Sequence, residues 1–248
     1  MKKIGIIGGV ARQSTVEYYR LLCAWSNAHF RTLEPEGPAR TPQIMIESLI
    51  MRQTRSLRGR EGDEANWAAY DDVIRQGLLR LQNSGCDFAI MANNTFHMRL
   101  AQITEGVDIE VLSIIDAVAD AAAATGANQA LVLGTGVTMR SNAYAQKLAA
   151  RGVVANARLD EATIDHMQHQ IDHAFHATPV PPNAYRDLLS VCERFVSDPK
   201  DTAILLACTE LPLAFPDHLE DPVFESDGFT FINTSSAHIR AALTKAIG

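Results

Sequence analysis

The residues of this chain best suited to move protons or attack carbon are its four cysteines and eight histidines. The cysteines, Cys23, Cys86, Cys192 and Cys208, lack the short paired spacing of a redox or metal-binding motif, so they read as separate free thiols. Three have a packing explanation: Cys23 shares a helical face with Val16, Tyr19 and Leu22; Cys192 falls in a helical pattern with Leu188, Leu189 and Phe195; Cys86 precedes an apolar strand. Cys208 differs. It follows the apolar run Ala203–Ala207 and precedes the polar pair Thr209-Glu210. A cysteine at the C-terminal end of a strand, beside exposed backbone N–H groups, can have a lowered pKa and act as base or nucleophile. The competing reading is a small buried apolar residue. Half the histidines, His166, His169, His173 and His176, lie with Asp165 and Asp172 along one expected helix. They form a stripe of roughly 60°, opposite Ile164, Met167, Ile171 and Phe175. Pairs three or four residues apart can chelate a metal, but a solvent-facing stripe is the plainer reading, and no metal is assigned.

Positioning such residues takes rigid elements, and the sequence alternates short apolar runs with amphipathic helical patterns, as in an α/β protein with mainly parallel strands. Lys3–Ile7 reads as a strand running into Gly8-Gly9, and Ser14 with Glu17 forms a candidate capping box for the following helix. Trp67, Tyr70, Val73, Ile74, Leu78 and Leu81 share one helical face. Phe88–Met91, Ala130–Leu133 and Thr202–Leu206 read as buried strands. The halves rhyme: strands end at Gly8-Gly9 and Ala92-Asn93 in one, and at Gly134-Thr135-Gly136 and Ala207-Cys208 in the other. The expectation is two pseudo-symmetric α/β lobes, 1–116 plus 220–248 and 117–219, with the active site in the cleft between them. The helix from about Ser235 to Ile247 is expected to return to the first lobe.

Composition narrows the function classes. The 47% hydrophobic and 21% charged content suits an ordinary globular protein, and a net charge of −7 argues against a general nucleic-acid binder. The opening MKKIGIIGGVARQ superficially resembles a signal peptide. Its apolar run is too short, broken by Gly5, Gly8 and Gly9, and met at once by Arg12, so a cytoplasmic protein without a membrane segment is expected. Gly5-x-x-Gly8-Gly9 and Gly134-Thr-Gly136 both fall short of the dinucleotide fingerprint, and no G-K-[ST] phosphate loop exists.

Several segments together resemble the aspartate/glutamate racemases, the cofactor-independent amino-acid racemases, in their aspartate-racemase-type branch. Leu206-Ala-Cys-Thr-Glu-Leu211 resembles their second cysteine motif, and Ile90-Met-Ala-Asn-Asn-Thr-Phe-His97 the first, usually Cys-Asn-Thr-x-His. Gly134-Thr-Gly-Val-Thr-Met-Arg-Ser141 with Tyr144 resembles their Gly-Thr-x-x-Thr loop. Gly5-Ile-Ile-Gly-Gly9 with Ser14-Thr15 and Tyr18-Tyr19 is similar to their start, and Phe231-Ile-Asn-Thr with His238 to their last strand and helix. The matches run in order from residue 3 to residue 240.

The resemblance implies an isomerase without a cofactor, acting on a small amino acid or carboxylate, with a homodimer as its assembly. In the family two cysteines flank the α-carbon; one thiolate removes the proton and the other thiol returns one on the opposite face. The carbanion needs hydrogen-bond donors on its carboxylate, and Asn94, Thr95, Thr135, Thr138 and Thr209 match the family positions that supply them. The catalytic positions carried over are Cys208, Asn93 and His97. Asn93 stands where the first cysteine belongs, and an amide cannot take a proton near neutral pH. Some relatives carry threonine there and still racemise; His97, or a water held by Asn93, could serve as the other acid. A single-cysteine decarboxylase, a cis–trans isomerase of a dicarboxylate and a silent binding protein of the same fold stay open as alternatives. The loop with Arg52, Arg55, Arg58 and Arg60 borders the active site in the family; Arg52 or Arg58 could clamp a distal carboxylate, and Gly59 and Gly62 would let it close. The family's substrate lysine reads Thr163 here, and the aspartate of its last strand motif reads Asn233.

Overall fold

The computed structural model describes residues 1–59, 63–155, 159–175 and 180–248, and the chain divides into two compact units. Unit 1 comprises Met1–Ser113 and Ile239–Gly248; unit 2 is Ile114–His238. Strands in unit 1 are β1 (Ile4–Gly8), β2 (Ile44–Ser48), β3 (Phe88–Met91) and β4 (Glu110–Val111). Its helices are α1 (Arg12–Leu33), α2 (Met51–Leu57), α3 (Glu64–Asn83), α4 (Asn94–His97) and α5 (Leu100–Ile103). Unit 2 carries β5 (Gln129–Gly134), β6 (Val154–Ala155), β7 (Thr202–Ala207), β8 (Val223–Ser226) and β9 (Phe229–Asn233). Its helices are α6 (Ile114–Ala124), α7 (Gly136–Arg140), α8 (Ala143–Ala149), α9 (Glu161–Gln170) and α10 (Pro182–Phe195), and α9 continues into a π-helical turn, Ile171–Phe175. The last helix, α11 (Thr234–Ile247), begins in unit 2 and ends in unit 1.

The two sheets share one topology. Unit 1 has the order β2-β1-β3-β4, all parallel, and unit 2 the order β6-β5-β7-β9-β8, parallel except for the β8–β9 hairpin. Leaving β8 aside, both run second-first-third-fourth, so the rhyme between the halves is a repeat of strand order. In such sheets the first and third strands are neighbours whose connections leave in opposite directions, which opens a crevice at their C-terminal ends. The motifs fall there: Gly8-Gly9 and Asn93 after β1 and β3, Thr135 and Cys208 after β5 and β7.

Burial explains the strands. β1, β3 and β7 are buried at every position, as helix-covered parallel strands are, and therefore read as unbroken apolar runs. Ile4, Ile6, Tyr18, Leu21, Leu22, Phe88 and Ile90 pack in unit 1 with Ile239, Ala242 and Leu243 of α11. Leu131, Leu133, Ile164, Met167, Ile171, Phe175, Leu188, Ile204, Leu206 and Phe231 form the core of unit 2.

Four local expectations need correction. Of residues 220–248, expected in the first lobe, only Ile239–Gly248 lie in unit 1: Asp227-Gly228, both at positive φ, closes the β8–β9 hairpin, and the long-range pairing of β9 with β7 carries it into unit 2. Ser14 caps nothing: α1 starts after Ala11, and Thr15 secures the turn by accepting from Gly9 N–H at 2.9 Å. Cys23 lies on a partly exposed face of α1, because Val16 and Tyr19 face solvent. Residues 51–57, expected as loop, form α2, where the buried Thr54 hydroxyl donates to Met51 C=O at 3.0 Å.

Candidate active site

In unit 1 the ends of β1, β3 and β2 lie side by side: Ala92 N–H donates to Ile7 C=O at 2.9 Å, and Leu49 N–H to Gly8 C=O at 3.0 Å. Gly9 sits at φ +88°, and a Cβ there would lie 2.2 Å from Leu49 O, so this turn requires glycine. Asn93 is the N-cap of α4; its Oδ1 accepts from Phe96 N–H at 3.2 Å. That use of the carbonyl oxygen leaves the NH₂ group as what Asn93 can offer a ligand, a donor and not a base. Asn94, Thr95 and His97 are buried behind it. Ser14 is buried at the start of α1, and its hydroxyl has no partner among the described residues, which makes it a candidate donor that the capping reading concealed.

His97 Nε2–H donates to Met91 C=O at 3.3 Å, tying α4 to the strand it leaves. Burial lowers its pKa from 6.5 to about 4, so it is a neutral imidazole at pH 7. Between those two values the unfolded chain binds a proton that the folded chain refuses, so stability is full above pH 6.5 and falls as pH drops towards 4. This contribution amounts to about 2–3 kcal/mol between pH 7 and pH 4.5. His97→Gln is expected to flatten the pH dependence of urea-unfolding stability by that amount; an unchanged slope would show that His97 is not buried neutral.

The arginines do not form one cluster. Arg52 and Arg55 are exposed on α2, and Arg58 is exposed at its C-terminal end, where its charge reaches the Tyr70 hydroxyl. Gly59 is buried against Trp67, whose ring would lie 2.6 Å from an added Cβ, so close approach and not mobility explains this glycine. Arg60 and Gly62 lie outside the described residues.

In unit 2, Gly134 of β5 pairs with Ala207 of β7, and a Cβ on Gly134 would lie 2.6 Å from Ala207 O. Glycine thus lets the two strand ends close together and sets the Thr135–Thr138 turn beside Cys208. The Thr135 and Thr138 hydroxyls are 3.1 Å apart, and Thr138 N–H donates to Thr135 Oγ1 at 3.4 Å, capping α7. The buried Cys208 Sγ–H donates to Glu210 Oε2 at 2.9 Å, and the Thr209 hydroxyl donates to the same oxygen at 2.9 Å. Glu210 is itself buried. In the sequence it stands out only as part of the polar pair Thr209-Glu210; its i, i+2 spacing from Cys208 is the signal that points to the pair.

The thiol is not acidified. Burial first, then the Glu210 carboxylate, hold the Cys208 pKa well above its ordinary value, and Asp172 adds to this. Dehydration and two carboxylates outweigh the strand-end dipoles on which the expectation of a lowered pKa rested. Burial pushes up the other three thiols as well, Cys192 to about 12, so a carboxylate partner and not acidity singles out Cys208. A proton shift from sulfur to Glu210 would yield a thiolate beside a neutral acid, and a thiolate of high pKa is a strong base.

Two departures from the family pattern are locally satisfied. Thr163 is held by Asp160, which accepts from its N–H at 2.8 Å and its hydroxyl at 2.9 Å. Asn233 donates to Leu219 C=O at 2.9 Å and accepts from Ser236 N–H at 3.2 Å; an aspartate could not make the first bond. His166, His169 and His173 are exposed, and His176 lies outside the described residues. His169 and His173 stack at 4.4 Å between ring centroids, but no group of three side chains able to hold a metal exists among the described residues.

A family model for Asp/Glu/hydantoin racemases matches residues 7–242. The chain belongs to that family. Among solved structures this racemase-family chain is similar to an aspartate racemase homologue from Pyrococcus horikoshii OT3, at 22% identity over all of both chains and a TM-score of 0.74. It is also similar to the aspartate racemase of Picrophilus torridus, at 20% identity over 99% of this chain and 94% of that one, with a TM-score of 0.71. The glutamate racemase of Aquifex pyrophilus is a more distant match, at 20% identity over 98% of this chain and 83% of that one, with a TM-score of 0.57. The racemase fold thus extends over the whole chain, and no helix among the described residues is long and apolar enough to cross a membrane.

Proposed function

We propose that this chain is an amino-acid racemase that needs no cofactor and exchanges the α-proton through Cys208. The observation that carries this reading is the buried Cys208–Glu210 pair at the end of β7, at the switch point of its sheet. Cys208 passes its proton to Glu210, and the resulting thiolate takes the α-proton. Negative charge then grows on the substrate carboxylate, where Thr135, Thr138 and Thr209, with Asn94 and Thr95, are the proposed donors. Asn93 offers an amide donor and can hold a water, so proton delivery to the opposite face is slow. His97, neutral and committed to Met91, positions the β3–α4 turn and is not the second acid.

Glu210→Gln tests the pair. Thiolate should form at lower pH, because the charge that opposes it is gone, while α-proton exchange falls about a hundredfold for want of an acceptor. Thiolate absorbance against pH and exchange rate read the two effects separately; unchanged exchange would remove Glu210 from the mechanism.

The whole reading is tested by incubating L- and D-amino acids with the enzyme in deuterium oxide, without added cofactor, and following Cα deuteration by NMR and inversion by chiral chromatography. Asn93 favours a second reading, in which the one thiol protonates a planar intermediate on a single face, as in a decarboxylase or a cis–trans isomerase. Turnover of an unsaturated or geminal dicarboxylate, with no exchange of any amino acid, would support it.

A further inference from the structure

Asp172, in the π-helical turn, is exposed, and its position is held from two sides. Ile171 and Phe175 of the same turn are buried in the core of unit 2, which anchors the backbone. Gln168, one turn earlier, donates from Nε2 to Asp172 Oδ2 at 2.8 Å while its Oε1 accepts from Gly136 N–H at 2.9 Å. One amide side chain therefore links Asp172 to the Thr135–Thr138 turn, which lies beside Cys208 through the Gly134–Ala207 pairing. The charge of Asp172 also adds, after burial and Glu210, to what holds the thiol's pKa up. Both charges that raise its pKa, Glu210 and, less strongly, Asp172, are acidic. π-Helical turns recur at functional sites because the extra residue re-aims neighbouring side chains.

A substrate whose α-carbon meets Cys208 must place its other groups within the field of these two carboxylates. Glu210 is buried and engaged by the thiol and by Thr209, whereas Asp172 faces solvent and can meet a ligand. A carboxylate side chain would be repelled there, and an ammonium or guanidinium attracted. The arginines that would argue for an acidic substrate, Arg52, Arg55 and Arg58, are exposed side chains of unit 1. Thr163, where family members carry the lysine noted above, is itself uncharged; its hydroxyl donates to Asp160 and accepts from Arg194, whose guanidinium is in turn paired with Asp160.

We infer that Asp172 is a specificity-determining residue that selects amino acids with a cationic side chain and rejects aspartate and glutamate. The inference rests on the racemase reading for its chemistry, but the charge preference belongs to the binding surface and can be measured without turnover.

The test uses arginine, glutamine and glutamate as probes, each as L and D forms, with wild type, Asp172→Asn and Asp172→Lys. Asn keeps the shape and still accepts from Gln168. Wild type is expected to exchange the α-proton of arginine with kcat/KM at least about tenfold above glutamine and about a hundredfold above glutamate. Asp172→Asn should cut the arginine-to-glutamine ratio of kcat/KM about tenfold, mainly through the KM of arginine, whatever common change the loss of the Asp172 charge beside the thiol brings. Asp172→Lys should reverse the order of arginine and glutamate. Equal losses for all three probes in Asp172→Asn would mean that Asp172 holds the α-ammonium common to them, and would overturn the inference. So would a wild-type preference for glutamate. Calorimetric titration with the same probes separates the two readings. Charge-selective binding without exchange would keep this inference and end the racemase one; exchange without charge selectivity would do the opposite.

Discussion

Cys208→Ser is expected to lose α-proton exchange by on the order of a thousandfold, while the protein stays folded. The hydroxyl fits the space of the thiol and can donate to Glu210 as the thiol does, so the buried carboxylate keeps its partner. What disappears is basicity that can be reached: a serine hydroxyl holds its proton far more firmly than a thiol, and Glu210 is too weak a base to remove it. Exchange into deuterium oxide reads the chemistry directly, and circular dichroism with a melting curve reads the fold. Wild-type exchange in this variant would end the thiolate mechanism and leave only the family and the fold.

Asn93→Cys has the second largest expected effect, in the opposite direction. The wild type should exchange the α-proton of one enantiomer faster than it inverts it, because one face is served by a thiolate and the other by an amide. Restoring the thiol that the family pattern places there should raise the rate of inversion about ten- to a hundredfold and make the two directions comparable. The same change removes the cap that Asn93 Oδ1 provides to Phe96 N–H, so a loss of about 1 kcal/mol in stability is expected alongside it. Chiral chromatography from each pure enantiomer gives both rates. Inversion that stays slow in a folded variant would mean that the second proton comes from elsewhere.

How far the sequence could be read follows from where each signal resides. β1, β3, β5 and β7 were legible because buried parallel strands spell continuous apolar runs, and the strand ends carrying Asn93 and Cys208 followed from them. α2 was not legible, since only Thr54 of its seven residues is buried and a short helix shows no apolar period. The β8–β9 hairpin had its signal in Asp227-Gly228, yet its placement beside β7 is a long-range pairing that local pattern does not encode. The raised pKa of Cys208 is not legible in the sequence for the same reason. Strand-end geometry is local, whereas the burial that dominates the shift, ahead of the nearby Glu210 carboxylate, arises from residues distant in sequence. Gln168 and Asp172 looked like ordinary polar positions on a solvated face, and only their bonds to one another and to Gly136 give them a place in the site.

The way α11 ends in the core of unit 1 imposes an order of assembly. Unit 2 is one continuous stretch, 114–238, and all of its sheet is available once residue 233 has left the ribosome. Unit 1 is emitted before unit 2 but lacks Ile239, Ala242, Leu243 and Ala246, which pack on Ile4, Ile6 and Phe88, until residues 239–246 are made. The N-terminal 113 residues must therefore wait with part of their apolar surface open through the whole synthesis of unit 2, and close by contacts of very high sequence separation. The unit translated first is thus the last to be completed, and the interval between is when this chain depends most on protection from aggregation.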